Sequence, residues 1–126
     1  MNRNPQQIYL IRHGETAWSL SGQHTGRTDI PLTENGRKMA AKLASVLASE
    51  RFERVMTSPL QRARETCELA GVGERAAVDA DLMEWNYGDY EGLTTRQIHT
   101  QVPEWLLFRD GCSGGEMPDQ IGARVD

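Results

Sequence analysis

Two rhythms of apolar positions alternate along the first half of the chain. Residues 7–12, QIYLIR, form a short run rich in β-forming side chains and followed by Gly14, which predicts a buried strand whose C-terminal end delivers Arg12 and His13. Behind Thr33, a candidate N-cap, Met39, Leu43, Val46 and Leu47 recur at spacings of four, three and one, the pattern of a helix that starts at Glu34 and packs one face on a sheet. Residues 14–31, GETAWSLSGQHTGRTDIP, show no sustained period. A connection of that length inside a compact domain carries function or holds a short helix of its own.

The alternation continues downstream. Residues 54–58, RVMTS, read as a second strand, and Ser58-Pro59-Leu60-Gln61 opens the next helix with a capping-box spacing and a proline in the first turn, running to about Ala70 and ending at Gly71. Residues 76–85, AAVDADLMEW, read as a third extended segment, and Thr94-Thr95-Arg96-Gln97 repeats the capping-box spacing for a further helix. A glycine-rich loop then leads into residues 118–125, which resemble the first turns of a helix. Strands alternating with helices predict an α/β fold, a layered and mostly parallel sheet flanked by helices.

Composition narrows the function classes. At 126 residues the chain is long enough for one domain with a core and short for two. A net charge of -4 gives no electrostatic reason to expect nucleic acid as a partner, since backbone phosphates favour a basic face, whereas a small anion needs only a few local arginines. No apolar run has the length of a signal peptide core or a membrane span, so a cytoplasmic protein without a membrane partner is expected. Cys67 and Cys112 belong to no CxxC or Cys/His cluster, which argues against a zinc site or a disulfide framework; Cys67 is expected to pack as a small apolar residue.

In an open parallel sheet, ligands bind beyond the carboxyl ends of the strands. Arg12 and His13 lie at one such end and Thr57 and Ser58 at another, where the following helix carries Arg62 on its first turn beside an anion-favouring N-terminus. Two arginines, a helix N-terminus and a histidine describe a phosphate pocket. Cations around a neutral imidazole lower its pKa and keep its lone pair available for attack on phosphorus. A leaving alkoxide needs a proton, and the third extended segment offers an acid, Glu84. These roles require no metal and no cofactor. Singly, each residue has a plainer reading: His13 as a polar strand end, Arg62 in an ion pair with Glu65 or Glu68, and Glu84 as a surface carboxylate.

Jointly, LIRHGET, TGRTDIPLTENG, TSPLQRARET and LMEWNYGDYEG resemble the motifs of the histidine phosphatase superfamily, which includes the cofactor-dependent phosphoglycerate mutases. The four occur in that family's order between Leu10 and Gly92, and four spaced motifs are far more specific than an RHG tripeptide alone. The resemblance implies that His13 is the nucleophile that becomes phosphohistidine, that Arg12 and Arg62 bind phosphoryl oxygens, that Glu84 is the general acid and base, and that Thr25 and Gly26 touch substrate. The implied partner is a small phosphorylated metabolite; the oligomeric state stays open. His24 and His99 match no motif and read as ordinary polar residues, His99 on the helix after Thr95. Trp18, Trp85 and Trp105 read as packing or pocket-wall groups.

Mutases and phosphatases of this family differ in whether a retained phosphorylated ligand or water accepts the phosphoryl group. In the mutases the family acid is followed by an arginine; here Trp85 follows Glu84, Asn86 also departs from the pattern, and only Arg96 and Arg109 are basic between Glu84 and Gly115. Phosphatase is therefore expected, with mutase-type transfer as the alternative. EWNYGDYEGLT followed by WLLFRDGCSGGE is similar to a branch of sugar-bisphosphate phosphatases such as sedoheptulose bisphosphatase. The family also carries a second histidine in a late HG motif, which has no counterpart up to Asp126. The expectation is thus a single, C-terminally incomplete domain over residues 1–126, either part of an active enzyme or a phosphate-binding module with little activity. Loss of one preorganised charge-stabilising donor costs roughly a hundredfold to a thousandfold in rate. Unpaired strand edges in such a chain are expected to make it marginally stable or prone to association.

Overall fold

The computed structural model describes residues 5–126. The long connection does hold a helix, α1 (Ala17–Ser21), which Thr16 and Ser19 open through a reciprocal capping box. Helix α2 (Glu34–Leu47) starts behind Thr33, whose hydroxyl accepts the Gly36 N–H. Strand β1 (Val55–Thr57) leads through α3 (Gln61–Leu69) to β2 (Ala76–Val78). The two strands pair in parallel with Val55 opposite Ala76 and Thr57 opposite Val78, giving a small βαβ unit. Helices α4 (Thr95–Gln101), α5 (Leu107–Asp110) and α6 (Pro118–Val125) complete an α/β arrangement, and α4 carries the predicted Thr94/Gln97 capping box.

Four expectations change. Residues 7–12 run extended but form no strand: Ile8 and Leu10 are 82% and 93% exposed, and among the described residues no backbone ladder pairs with them. An apolar run becomes a buried strand only where neighbours satisfy its N–H and C=O groups; here side-chain contacts such as the edge contact of Tyr9 with Phe52, 5.2 Å between ring centroids, tie the segment to the body. Helix α3 starts at Gln61 without a side-chain cap from its own flank. Ser58 Oγ reaches only the Leu60 N–H, while the Asp29 carboxylate accepts the Gln61 N–H at 2.8 Å, a charged acceptor brought by another loop to the positive end of the helix. Residues 76–85 form a strand only through β2; Asp79 then caps a 3₁₀ turn, Ala80–Leu82, by accepting the Asp81 N–H. Of the predicted α2 row, Leu47 is buried and Leu43 half-buried, but Met39 and Val46 are exposed, and the buried face is completed by Gly36, which packs on the Glu15 backbone, and Ala40.

The main core lies after Glu84. Trp85, Tyr87, Ile98, Trp105 and Cys112 are buried together, with Tyr90, Leu93, Leu107 and Ile121 against them. Both buried indoles find acceptors, Trp85 Nε1 on the Glu116 carbonyl and Trp105 Nε1 on the Gly111 carbonyl, each at 2.8 Å. Cys67 is half-buried and free, as is the buried Cys112. Among the described residues no helix is long and apolar enough to cross a membrane.

Candidate active site

The corner that carries Arg12 and His13 is pinned from two sides. The Gly14 N–H donates to Thr66 Oγ1 at 3.0 Å, and that hydroxyl donates in turn to the Arg62 carbonyl at 2.7 Å, tying the corner to α3. On the other side the Thr33 N–H donates to the Glu15 carbonyl at 2.9 Å, and Thr16 bridges Leu32. The backbone of the corner lies directly on the first turn of α2. A Cβ at Gly14 would sit 2.7 Å from the Gly36 carbonyl oxygen, and one at Gly36 only 2.3 Å from the Glu15 carbonyl oxygen, so both positions require glycine for close approach.

His13 Nδ1 lies 2.7 Å from the Gly14 carbonyl oxygen. A carbonyl only accepts, so Nδ1 carries the proton and Nε2 keeps the free lone pair. Burial holds the imidazole below its ordinary value of 6.5, helped by Arg62 and Arg12 and opposed by the Gly14 bond and Glu84. His13 lines a cavity of about 180 Å³ whose wall also includes Arg12, Thr25 and Glu84. The exposed Glu84 carboxylate is oriented by the Trp85 N–H, which donates to Oε1 at 2.8 Å.

Two residues expected on substrate, Arg62 and Gly26, are not among the residues lining this cavity. Arg62 is only 2% exposed, and its guanidinium donates to the carbonyls of Thr28 and Gly26 at 2.9 and 2.8 Å. Those bonds use two of its five N–H donors, so it braces the 26–28 loop while its charge still acts on His13. Burial lowers the Arg62 pKa, and Glu84, Glu91 and Asp29 counter only part of that effect. The Gly26 N–H is taken by Glu91 Oε1 at 2.6 Å, and the same oxygen accepts the Thr28 N–H at 2.9 Å. A Cβ at Gly26 would fall 2.2 Å from the Trp85 carbonyl oxygen, so this glycine lets the loop lie on the segment that bears Glu84.

His24, Tyr87 and Trp18 are among the wall residues outside the expected site set. His24 donates or accepts at Thr95 Oγ1 through Nε2 at 3.0 Å and stacks on Tyr87 at 4.7 Å between centroids. Burial lowers its pKa too, against Glu84 and Glu91. Tyr87, pushed up to about 12 by burial and then by Glu84, remains a protonated hydroxyl. Trp18 was expected as packing or pocket wall and forms wall. The available signal for His24 was its place immediately before Thr25 and Gly26. His99 lies on α4, its Nε2 3.0 Å from the Trp105 carbonyl oxygen.

A sequence-family model described as the histidine phosphatase superfamily (branch 1) matches residues 8–126. The chain is 43% identical over 122 residues to an acid phosphatase of Mycobacterium tuberculosis, covering 95% of this chain and 60% of that one. It is 40% identical over 139 residues to the sedoheptulose 1,7-bisphosphatase of Saccharomyces cerevisiae, covering 92% of this chain and 51% of that one. Its backbone superposes on the solved structure of a Mycobacterium tuberculosis open reading frame product with a TM-score of 0.83 and 43% identity, covering 90% of this chain and 60% of that one. The chain therefore spans between about half and three fifths of the length of these relatives.

Proposed function

The chain belongs to the histidine phosphatase superfamily, branch 1, and from that premise we propose that it serves phosphomonoester hydrolysis through a phosphohistidine. His13 Nε2 attacks phosphorus in line; the P–O ester bond breaks and its electron pair leaves on the alkoxide, which takes the proton of the Glu84 carboxyl group. Arg12 at the wall and the buried Arg62 offset the charge on the phosphoryl oxygens. Water then attacks the phosphohistidine while the Glu84 carboxylate accepts its proton, the P–N bond breaks, and Nε2 recovers its lone pair as phosphate leaves. The observation that carries this reading is the His13–Gly14 bond, which leaves Nε2 free in a cavity shared with Arg12 and Glu84.

The substrate class is a small phosphorylated metabolite. The finer reading is a sugar bisphosphate such as sedoheptulose bisphosphate, supported by the identity with the yeast bisphosphatase. Hydrolysis is favoured over mutase-type transfer because the residue after the acid is Trp85, buried in the aromatic core, rather than a cation facing the cavity. The experiment is phosphate release by the full-length protein from a panel of sugar mono- and bisphosphates. Steady release of inorganic phosphate, fastest from bisphosphates, is expected. Transfer between two phosphorylated metabolites without release would support the mutase, and no turnover of any phosphomonoester would support a binding module.

A further inference from the structure

The segment that presents Glu84 is held from behind by an ion pair outside the cavity wall. Arg124, on α6, forks onto Glu116, with Nε 3.0 Å from Oε2 and Nη2 3.0 Å from Oε1. Both side chains are nearly enclosed, at 12% and 13% exposure. The remaining donors of Arg124 go to the loop itself: Nη1 donates to the carbonyls of Asp81 and Met83 at 2.7 and 2.6 Å, and Nη2 approaches the Glu84 carbonyl at 3.4 Å. Glu116 completes the grip, since Oε1 accepts the Asn86 N–H at 2.8 Å and its own N–H donates to the Asn86 carbonyl at 2.8 Å. Arg27 lies 3.7 Å from Glu116 Oε1. Arg124, with help from Arg27 and the Asn86 N–H, holds the Glu116 carboxyl below its ordinary range against burial.

The bonds that the pair makes to this segment fall on the backbone of Asp81, Met83, Glu84 and Asn86, and none reaches the Glu84 carboxylate. Glu84 itself is exposed, and among the described residues its carboxylate accepts a hydrogen bond only from the Trp85 N–H. We infer that the Arg124–Glu116 pair is the positioning device of the general acid, setting where the Glu84 carboxyl group stands relative to His13; the inference rests on the phosphatase reading above. An arginine suits this place because a planar fork can bind a carboxylate and still bridge successive carbonyls, which a lysine's point charge cannot reproduce. A loosened loop displaces the acid without removing it.

Leaving-group chemistry distinguishes this role from simple scaffolding. An alkyl phosphate needs a proton on the departing oxygen, whereas nitrophenolate departs unaided, and kcat/KM reports the step in which the ester bond breaks. In the full-length protein, Arg124→Lys is expected to lower kcat/KM for glycerol phosphate by about a hundredfold and for nitrophenyl phosphate by less than about threefold. In a Glu84→Gln background the same substitution should add almost no further loss for glycerol phosphate. Should the lysine variant fail to fold, Glu116→Gln, which keeps an acceptor for the Asn86 N–H, carries the same expectation. Equal losses on both esters, or no loss on either, would overturn the inference while leaving the phosphatase reading intact. An inactive parent protein would overturn both.

Discussion

The two carriers of the site rest on regions of opposite finish. After Glu84 the chain closes on itself: Trp85, Tyr87, Ile98, Trp105 and Cys112 are buried together and the two buried indoles find acceptors. Exposed apolar side chains such as Phe108 and Val125 lie around that core. Before His13, by contrast, Ile8 and Leu10 lie in solvent with no core beside them among the described residues, and between the two carriers Met39 and Val46 of α2 and Met56 and Val78 of the small sheet are exposed as well. The nucleophile's corner is nonetheless anchored, through Gly14 to Thr66 and through Glu15 to Thr33 rather than by a strand ladder. Precise placement of a side chain needs local anchors; stability needs buried area, and the two requirements are met in different parts of this molecule.

The largest expected effect tests the packed side. Trp105→Ala should destabilise the protein by about 3–5 kcal/mol, since it empties a fully enclosed site and orphans the Gly111 carbonyl, whereas Leu10→Ala should change stability by less than about 0.5 kcal/mol; urea denaturation measures both. Comparable losses at the two positions would mean that the N-terminal segment is buried in solution. Next comes the anchor of the nucleophile. Thr66→Val deletes the acceptor of the Gly14 N–H and should cost about 1–3 kcal/mol, with turnover falling further than stability predicts because the His13 corner loosens. A variant with wild-type melting and wild-type turnover would remove that anchor from the account.

The exposed apolar row also predicts association. Sedimentation of this 126-residue chain should show concentration-dependent self-association that Leu10→Lys reduces, as charge on an unpaired edge opposes pairing. A concentration-independent monomer would argue that the row is harmless. The smallest effect is in pH. His13 must be neutral to attack, and burial places its pKa below 6.5, so the acid limb of kcat/KM should inflect below that value. The same shift links to stability: the folded state binds fewer protons than the unfolded one as pH falls from 6.5 through the lower folded value, and stability is lost across that window. An inflection above 6.5 would contradict the burial of the imidazole.

Local chemistry was legible in the sequence, and distant chemistry was not. Thr33 and Thr94 cap α2 and α4 as read because their partners, Gly36 and Gln97, lie three residues away. The cap of α3 was misread because the acceptor at Gln61 is Asp29, 32 residues upstream. Residues 7–12 have the composition of a strand, yet a strand is a property of a pair, and composition does not supply the partner. At the site, the order of motifs led to His13, Arg12, Thr25 and Glu84, which share the cavity. The same motifs put Arg62 and Gly26 on substrate, whereas here their hydrogen bonds go to the 26–28 loop and Glu91. Arg124 carried no signal at all, because its importance lies in carbonyls about forty residues away that only the fold brings to it.

The central claim is that His13 Nε2 is the nucleophile. It is tested most directly by mixing the full-length protein with ³²P-labelled phosphomonoester, quenching in base and mapping the label. The account predicts a base-stable, acid-labile phosphoryl group on the peptide containing His13, absent from His13→Ala along with turnover. Acid-stable label on another residue, or unchanged turnover in His13→Ala, would contradict it.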